Sequence, residues 1–420
     1  MRWGLLLACS LALVGCAALL NSNRPRYHGP IVKAAWHNSS IHVDRKPVIH
    51  DGVVYVVGMP FGGREFRRVY AFDLKSGKPL WENDFPVDKI LLTTGSLIFL
   101  QENGGRPRLL DAKSGKDLKL SPLLAMRSAT AADGVVYSVA GSSLEARTLE
   151  SLQSDNKYLW HAEVPVTPIV SLPPVVAGGT VYVGSLSDFV LTPLKRAETG
   201  FYAFDAKSGA LRWKWESRER KGAPFIEGFS ADANVAYLWM NDKSANVFGF
   251  GVLISFDAAT GKEKWNHTTS MYVPSCPGPL LLDSNTVLTC DYPPGKEGTR
   301  DEKGFLFQCL NRQNAAQVSE VQTPWKYSNG AVSNGMLFAS DHQVHELLTE
   351  NNNSSPDSWV SAVSLETGKE LWRSETIELG VLTTPAAGDG MVVVGSEIFT
   401  FNSVTGKREV AGLWAWPAKH

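Results

Sequence analysis

Two histidines three residues apart, His342 and His345, sit between Asp341 and Glu346 in the stretch DHQVHE. Imidazole and carboxylate together make the donor set of a divalent transition-metal site. The spacing works against that chemistry. On an extended strand, residues i and i+3 point to opposite faces, so the pair would need a turn. The stretch reads as a solvated loop. Three cysteines, Cys276, Cys290 and Cys309, offer disulfide chemistry instead. They cannot all pair internally, and both Cys276–Cys290 and Cys290–Cys309 are open. The chain carries no Gly-x-Ser-x-Gly elbow, Walker loop or His-Glu-x-x-His helix. No catalytic, metal-binding or cofactor-binding residue is expected.

The N-terminus offers a different chemistry, acylation. MRWGLLLACSLALVGCA places Arg2 before an apolar run from Trp3 to Val14, then Gly15 and Cys16. A positive start with a short apolar core marks an export signal, too short to span a bilayer. Leu13-Val14-Gly15-Cys16 resembles the bacterial lipobox, which implies that Cys16 carries a diacylglyceryl thioether and becomes the first residue after cleavage. A cysteine with more than one acyl chain anchors a protein stably. In the same resemblance, Ala17, where an Asp would retain the protein, implies sorting to the outer membrane. The expected division is residues 1–15 as lipoprotein signal, 16–28 as lipidated cysteine and polar tether, and 29–420 as one domain. An exported compartment also permits the disulfides.

Behind these residues lies a scaffold that repeats itself. VYAFDLKSGKPLWEN (69–83) returns as FYAFDAKSGALRWKW (201–215), LISFDAATGKEKWNH (253–267) and VSAVSLETGKELWRS (360–374). A small residue, a glycine and a tryptophan keep one spacing throughout: Ala71, Gly77, Trp81; Ala203, Gly209, Trp213; Ser255, Gly261, Trp265; Ala362, Gly368, Trp372. Each copy alternates like a strand, turns tightly where Gly supplies positive φ, and returns as a strand ending at Trp. The small residue leaves room for an indole to lie against backbone. Degenerate copies occupy 109–120, which lacks the Trp, 144–160, 307–318 and 399–410.

A second signature precedes each copy: a turn and then a β-rich run, as in DGVVYVV (51–57), DGVVYSV (133–139) and GDGMVVVG (388–395). Eight such pairs at periods of a few tens of residues indicate a propeller of four-stranded units. The stretch 29–38, ending near Trp36, reads as an outer strand without partners of its own. Placed on the last unit, between Ile31 and Trp36, it would close the ring and leave no open sheet edge at the seam. The expectation is an all-β, eight-bladed propeller of four-stranded antiparallel blades. A formal net charge of -1 gives no basic field for nucleic acid.

The Ala-x-Asp-x-x-Thr-Gly-x-x-x-Trp pattern resembles the pyrroloquinoline-quinone-type propeller repeat, whose tryptophans dock neighbouring blades. That fold serves enzymes and scaffolds alike. The enzyme alternative is a quinoprotein dehydrogenase with the quinone and calcium in the channel, or a ligand-sensing propeller. Such dehydrogenases carry adjacent paired cysteines, and this chain has no Cys-Cys pair. A lipid-anchored propeller with this repeat resembles the BamB family, accessory lipoproteins of outer-membrane β-barrel assembly. The resemblance implies a non-catalytic scaffold without cofactor, anchored in the envelope and facing the periplasm. Its partners would be envelope proteins, the barrel-assembly complex among them. The family's partner-binding segment, after the third blade, carries a Leu-Ser-Leu-Arg-Gly-like motif. Here the corresponding stretch has Ser171 and Leu172 followed by Pro173 and Pro174, with no Arg. Three long polar loops, 186–200, 291–304 and 345–359, lie between second and third strands and form the other candidate surface.

Overall fold

A computed structural model of the chain describes residues 29–60, 66–94, 96–102, 106–120, 128–164, 172–186, 199–217, 225–242, 250–269, 280–281, 285–291, 305–323, 330–344, 356–377, 380–398 and 412–419. Eight separate sheets follow one another along the chain, each built outward from an inner strand and antiparallel but for one strand added to blade 7. Blade 4 shows the pattern. Val175–Ala177 pairs with Thr180–Leu186, which pairs with Thr199–Asp205, which pairs with Leu211–Glu216. Blades 3, 5 and 6 share this four-strand order. Among the described residues blade 2 has three strands, and its outer edge carries the bridge of Leu110 with Asp117. The single described helix, Leu149–Gln153, fills the turn between the outer strands of blade 3, capped by Thr148 Oγ1 accepting from Ser151 N.

The eighth blade closes the ring with an N-terminal strand. Trp36–Asn38 pairs antiparallel with Gly412–Pro417, Trp36 opposite Ala415. Its boundary differs from the expected Ile31–Trp36. Ile31–Val32 instead adds a parallel strand to the outer edge of blade 7, opposite Arg373 and Ser374. The chain then crosses to blade 8, where Ala35 N donates to Ala415 O. One N-terminal segment therefore binds two blades. A second correction concerns blade 8 itself. Its third strand is Gly412–Pro417, not the degenerate copy at 399–410. Ala415 takes the small-residue place, and the strand that normally follows the hairpin is supplied from the other end of the chain.

Side chains of one blade pack against the next, so the core is a ring of interblade clusters. Tyr182, Phe201 and Ala203 of blade 4 meet Ile226, Leu238 and Ile254 of blade 5. Within each blade the first and third turns lie on one face, joined by a backbone bond such as Leu74 N to Gly52 O or Ala206 N to Gly179 O.

The hairpins between third and fourth strands are shaped by aspartates. Asp73, Asp111, Asp205 and Asp257 each accept the backbone N–H and the hydroxyl of the residue three further on. These bonds to the ionised form hold the carboxyls of Asp73, Asp111 and Asp257 below the usual range; for Asp205, Arg212 contributes first and Ser208 second. A carboxyl depressed in the folded state contributes stability above its unfolded pKa and loses it as pH falls through the folded value. The urea midpoint should therefore hold steady above the ordinary carboxylate range near pH ~4 and fall below it. Asp205→Asn should make that acid limb shallower, as read from urea titrations between neutral pH and the acid limb. An unchanged limb would remove Asp205 from the account.

Candidate functional site

The repeated motif builds a row of three side chains across each blade. Tyr55, Ala71 and Trp81 stand opposite one another on successive strands of blade 1. The same row reads Tyr137, Ala146, Trp160 in blade 3; Tyr182, Ala203, Trp213 in blade 4; and Tyr237, Ser255, Trp265 in blade 5. In blade 7 it reads Phe338, Ala362, Trp372. The small residue thus makes room for the tryptophan of its own blade. Alternation on a pleated sheet keeps the three on one face.

In blades 1, 2, 4 and 5 the glycine of the hairpin receives the tryptophan of the preceding blade. Trp36 lies over Gly77, Trp81 over Gly115, Trp160 over Gly209 and Trp213 over Gly261. A Cβ at Gly261 would come within 2.5 Å of the Trp213 ring, and φ there is +69°. Both facts require glycine. The indole Nε1 then donates to the carbonyl that follows the turn aspartate. Trp36 reaches Leu74 O, Trp81 Ala112 O, Trp160 Ala206 O and Trp213 Ala258 O, at 2.8–3.0 Å. Trp265 reaches Arg312 O at 2.9 Å, where Ala315 at φ 60° replaces the glycine. Trp372 packs with Trp416 and Ala418 of blade 8.

Two participants escaped the sequence reading. The first is the row tyrosine, which sits 5.7–5.9 Å from its tryptophan, centroid to centroid, in blades 1, 3, 4 and 5. Tyr55 and Tyr137 hydroxyls donate to the same carbonyls as the indoles, at 3.3 and 3.2 Å. Burial pushes the Tyr55 phenol up to about 12. Its signal was the tyrosine at one position in VVYVV, VVYSV and TVYVG. The second is Arg312, buried at the place where other blades carry Leu or Ala. Its Nε donates to the Tyr237 hydroxyl at 3.1 Å, and its guanidinium pairs with Asp232, both in blade 5.

Cys16 and Ser171 lie outside the described residues. Leu172 is half-buried against the cluster between blades 4 and 5, and its carbonyl accepts from Ser128 Oγ at 3.3 Å. Pro173 is exposed and Pro174 buried. The stretch thus links blade 3 to blade 4, with Pro173 as its exposed described residue. DHQVHE begins as strand, not loop, since the second strand of blade 7 runs through Val344; His345 lies outside the described residues. Cys290 is disulfide-bonded, whereas Cys309 keeps a buried thiol directed at Leu365 O, 3.8 Å away. The Cys290–Cys309 pairing is thereby overturned. The three long loops spring from one face, where Leu186 pairs with Thr199, Asp291 with Leu306 and Val344 with Pro356. Among the described residues, no group of three His, Cys, Asp or Glu is placed to hold a metal ion.

Known proteins share this architecture. The family described as "Outer membrane protein assembly factor BamB" matches residues 33–118 and 117–343. The fold resembles that of BamB from Moraxella catarrhalis, with a TM-score of 0.53 and 15% identity over 90% of this chain and 98% of that one. It equally resembles a europium-containing methanol dehydrogenase, with a TM-score of 0.55 and 14% identity over 92% and 93%. At such identities the likeness shows the fold alone. No curated protein sequence matches the chain.

Proposed function

Because the chain belongs to the family of the outer membrane protein assembly factor BamB, we propose that it is a non-catalytic scaffold of the cell envelope. It is held by a lipid on Cys16, faces the periplasm, and docks envelope proteins, those of outer-membrane β-barrel assembly first among them. The observation that carries this reading is the family match across most of the propeller, combined with the placement of its aromatic residues. The motif indoles are engaged in joining blades, with five of their Nε1 groups bonded to backbone carbonyls. The ring then presents loops and blade connections as binding surface. Pro173 and the three long loops are the candidate contacts.

Affinity purification from detergent-solubilised membranes, with mass spectrometry, tests the reading. Barrel-assembly components should co-purify above an unrelated lipoprotein control. Recovery of none of them would defeat the assignment. Cys16→Ala should shift the protein from the membrane to the soluble fraction on cell fractionation. Among the described residues no helix is long and apolar enough to cross a membrane. A mutant that stays fully membrane-bound would show that something other than the lipid tethers it.

A further inference from the structure

Six of the eight seams between blades are joined by an indole: 8/1, 1/2, 3/4, 4/5, 5/6 and 7/8. The seams 2/3 and 6/7 have none at the outer-strand position. In blade 6 the row reads Leu288, Cys309, Ser319. Ser319 Oγ donates to Leu365 O at 2.7 Å, taking the carbonyl an indole would otherwise reach. Gly368 of blade 7 accordingly meets backbone; a Cβ there would lie 2.9 Å from Glu320 O rather than against a ring. In blade 2 an exposed Lys119 stands four residues after Gly115, where the tryptophan belongs. That seam is filled by Leu118 and Leu120 against Leu149 and Leu152 of the blade 3 helix.

The placement of the two seams matters more than their number. A single seam without an indole in a closed ring is held by the other seven. Two such seams side by side would leave one blade undocked on both flanks. Seams 2/3 and 6/7 are four blades apart on a ring of eight, at opposite ends of one diameter. They divide the molecule into blades 3–6 and blades 7, 8, 1 and 2, each joined internally by three indoles. The second half also contains the N-terminal segment that spans blades 7 and 8, Ile31–Val32 and Trp36–Asn38.

We propose that the propeller is two rigid half-rings hinged along this diameter. Tilting of the halves narrows the channel on one face and widens it on the other. Packed interfaces of this kind switch between arrangements by small rigid-body shifts. A partner bridging either seam would then favour one tilt, because a ligand shifts an equilibrium through its differential contacts with the two states. This inference stands independently of what the partner is.

Spin labels at exposed outer-strand positions of the full mature chain provide the test. Leu80 (blade 1), Leu211 (blade 4) and Leu371 (blade 7) are 51%, 46% and 42% exposed. Pulsed dipolar spectroscopy should give a distance distribution at least about twofold broader for Leu80→Cys/Leu211→Cys, across seam 2/3, than for Leu80→Cys/Leu371→Cys, within one half. Hydrogen exchange under mildly destabilising conditions should show the outer strands at 2/3 and 6/7 losing protection together, at least about tenfold faster than the docked seams. Equal widths for the two labelled pairs overturn the proposal. Uniform exchange across all eight seams, or fast exchange at only one of the two, overturns it as well.

Discussion

Trp213→Ala should lower the unfolding free energy by about 3–5 kcal/mol, the range for removing a large buried aromatic side chain. The side chain is 8% exposed. It lies over Gly261, stands 5.7–5.8 Å from Tyr182, Phe201 and Phe256, and donates its N–H to Ala258 O at 2.8 Å. Loss of the indole leaves a cavity between blades 4 and 5 and leaves that carbonyl without its indole donor. Leu211→Ala, on the same strand but exposed, should change stability by less than about 0.5 kcal/mol, as surface substitutions do. Urea unfolding followed by circular dichroism separates the two. Equal midpoints for both variants would mean that docking does not hold this seam.

Gly261→Ala should cost about 2–5 kcal/mol alone and only about 1–2 kcal/mol in the Trp213→Ala background. Two penalties act in the first case. The left-handed backbone at φ +69° disfavours any Cβ by about 1–2 kcal/mol. The added methyl would also lie 2.5 Å from the ring, so the indole must move, at the overpacking cost of about 1–3 kcal/mol. Once the ring is gone, only the backbone penalty remains. The double-mutant cycle therefore predicts strong non-additivity between residues that share no hydrogen bond. Additive costs would place the indole elsewhere in solution.

The architecture was legible because each repeat carries its own local cues. Alternation, an aspartate turn with its glycine and a tryptophan four residues later recur at positions such as Asp205, Gly209 and Trp213. The last blade was misread for a physical reason. Its third strand, Gly412–Pro417, is not followed by an Asp-x-x-x-Gly hairpin, so the cue that marks the third strands of blades 1, 2, 4 and 5 is missing. The boundary of the closing strand was missed because Ile31 and Trp36 belong to one extended run, and only tertiary pairing divides it between two blades. Arg312 was invisible because a lone arginine after a turn has no periodic signature; its partners Tyr237 and Asp232 lie a blade away. The candidate partner-binding segment at 171–174 was the least legible. A surface that recognises another protein need not repeat, and Leu172 and Pro174 turned out to be packed into the ring rather than displayed.

Closure through Trp36–Asn38 also sets an order of assembly. The strand is among the first parts of the domain to be synthesised, and its partner Gly412–Pro417 is nearly the last. The entropy of closing a loop grows only with the logarithm of its length, so the finished ring loses little stability by joining its two ends. The burden is kinetic. Contacts between distant parts of a chain form slowly, and until they do, each waiting strand presents an unpaired edge to other chains. Blades 1 to 7 can form as they emerge, yet the ring stays an open arc until Gly412–Pro417 is available. Premature termination even a few residues before Gly412 should thus yield an unclosed, aggregation-prone arc rather than a smaller propeller.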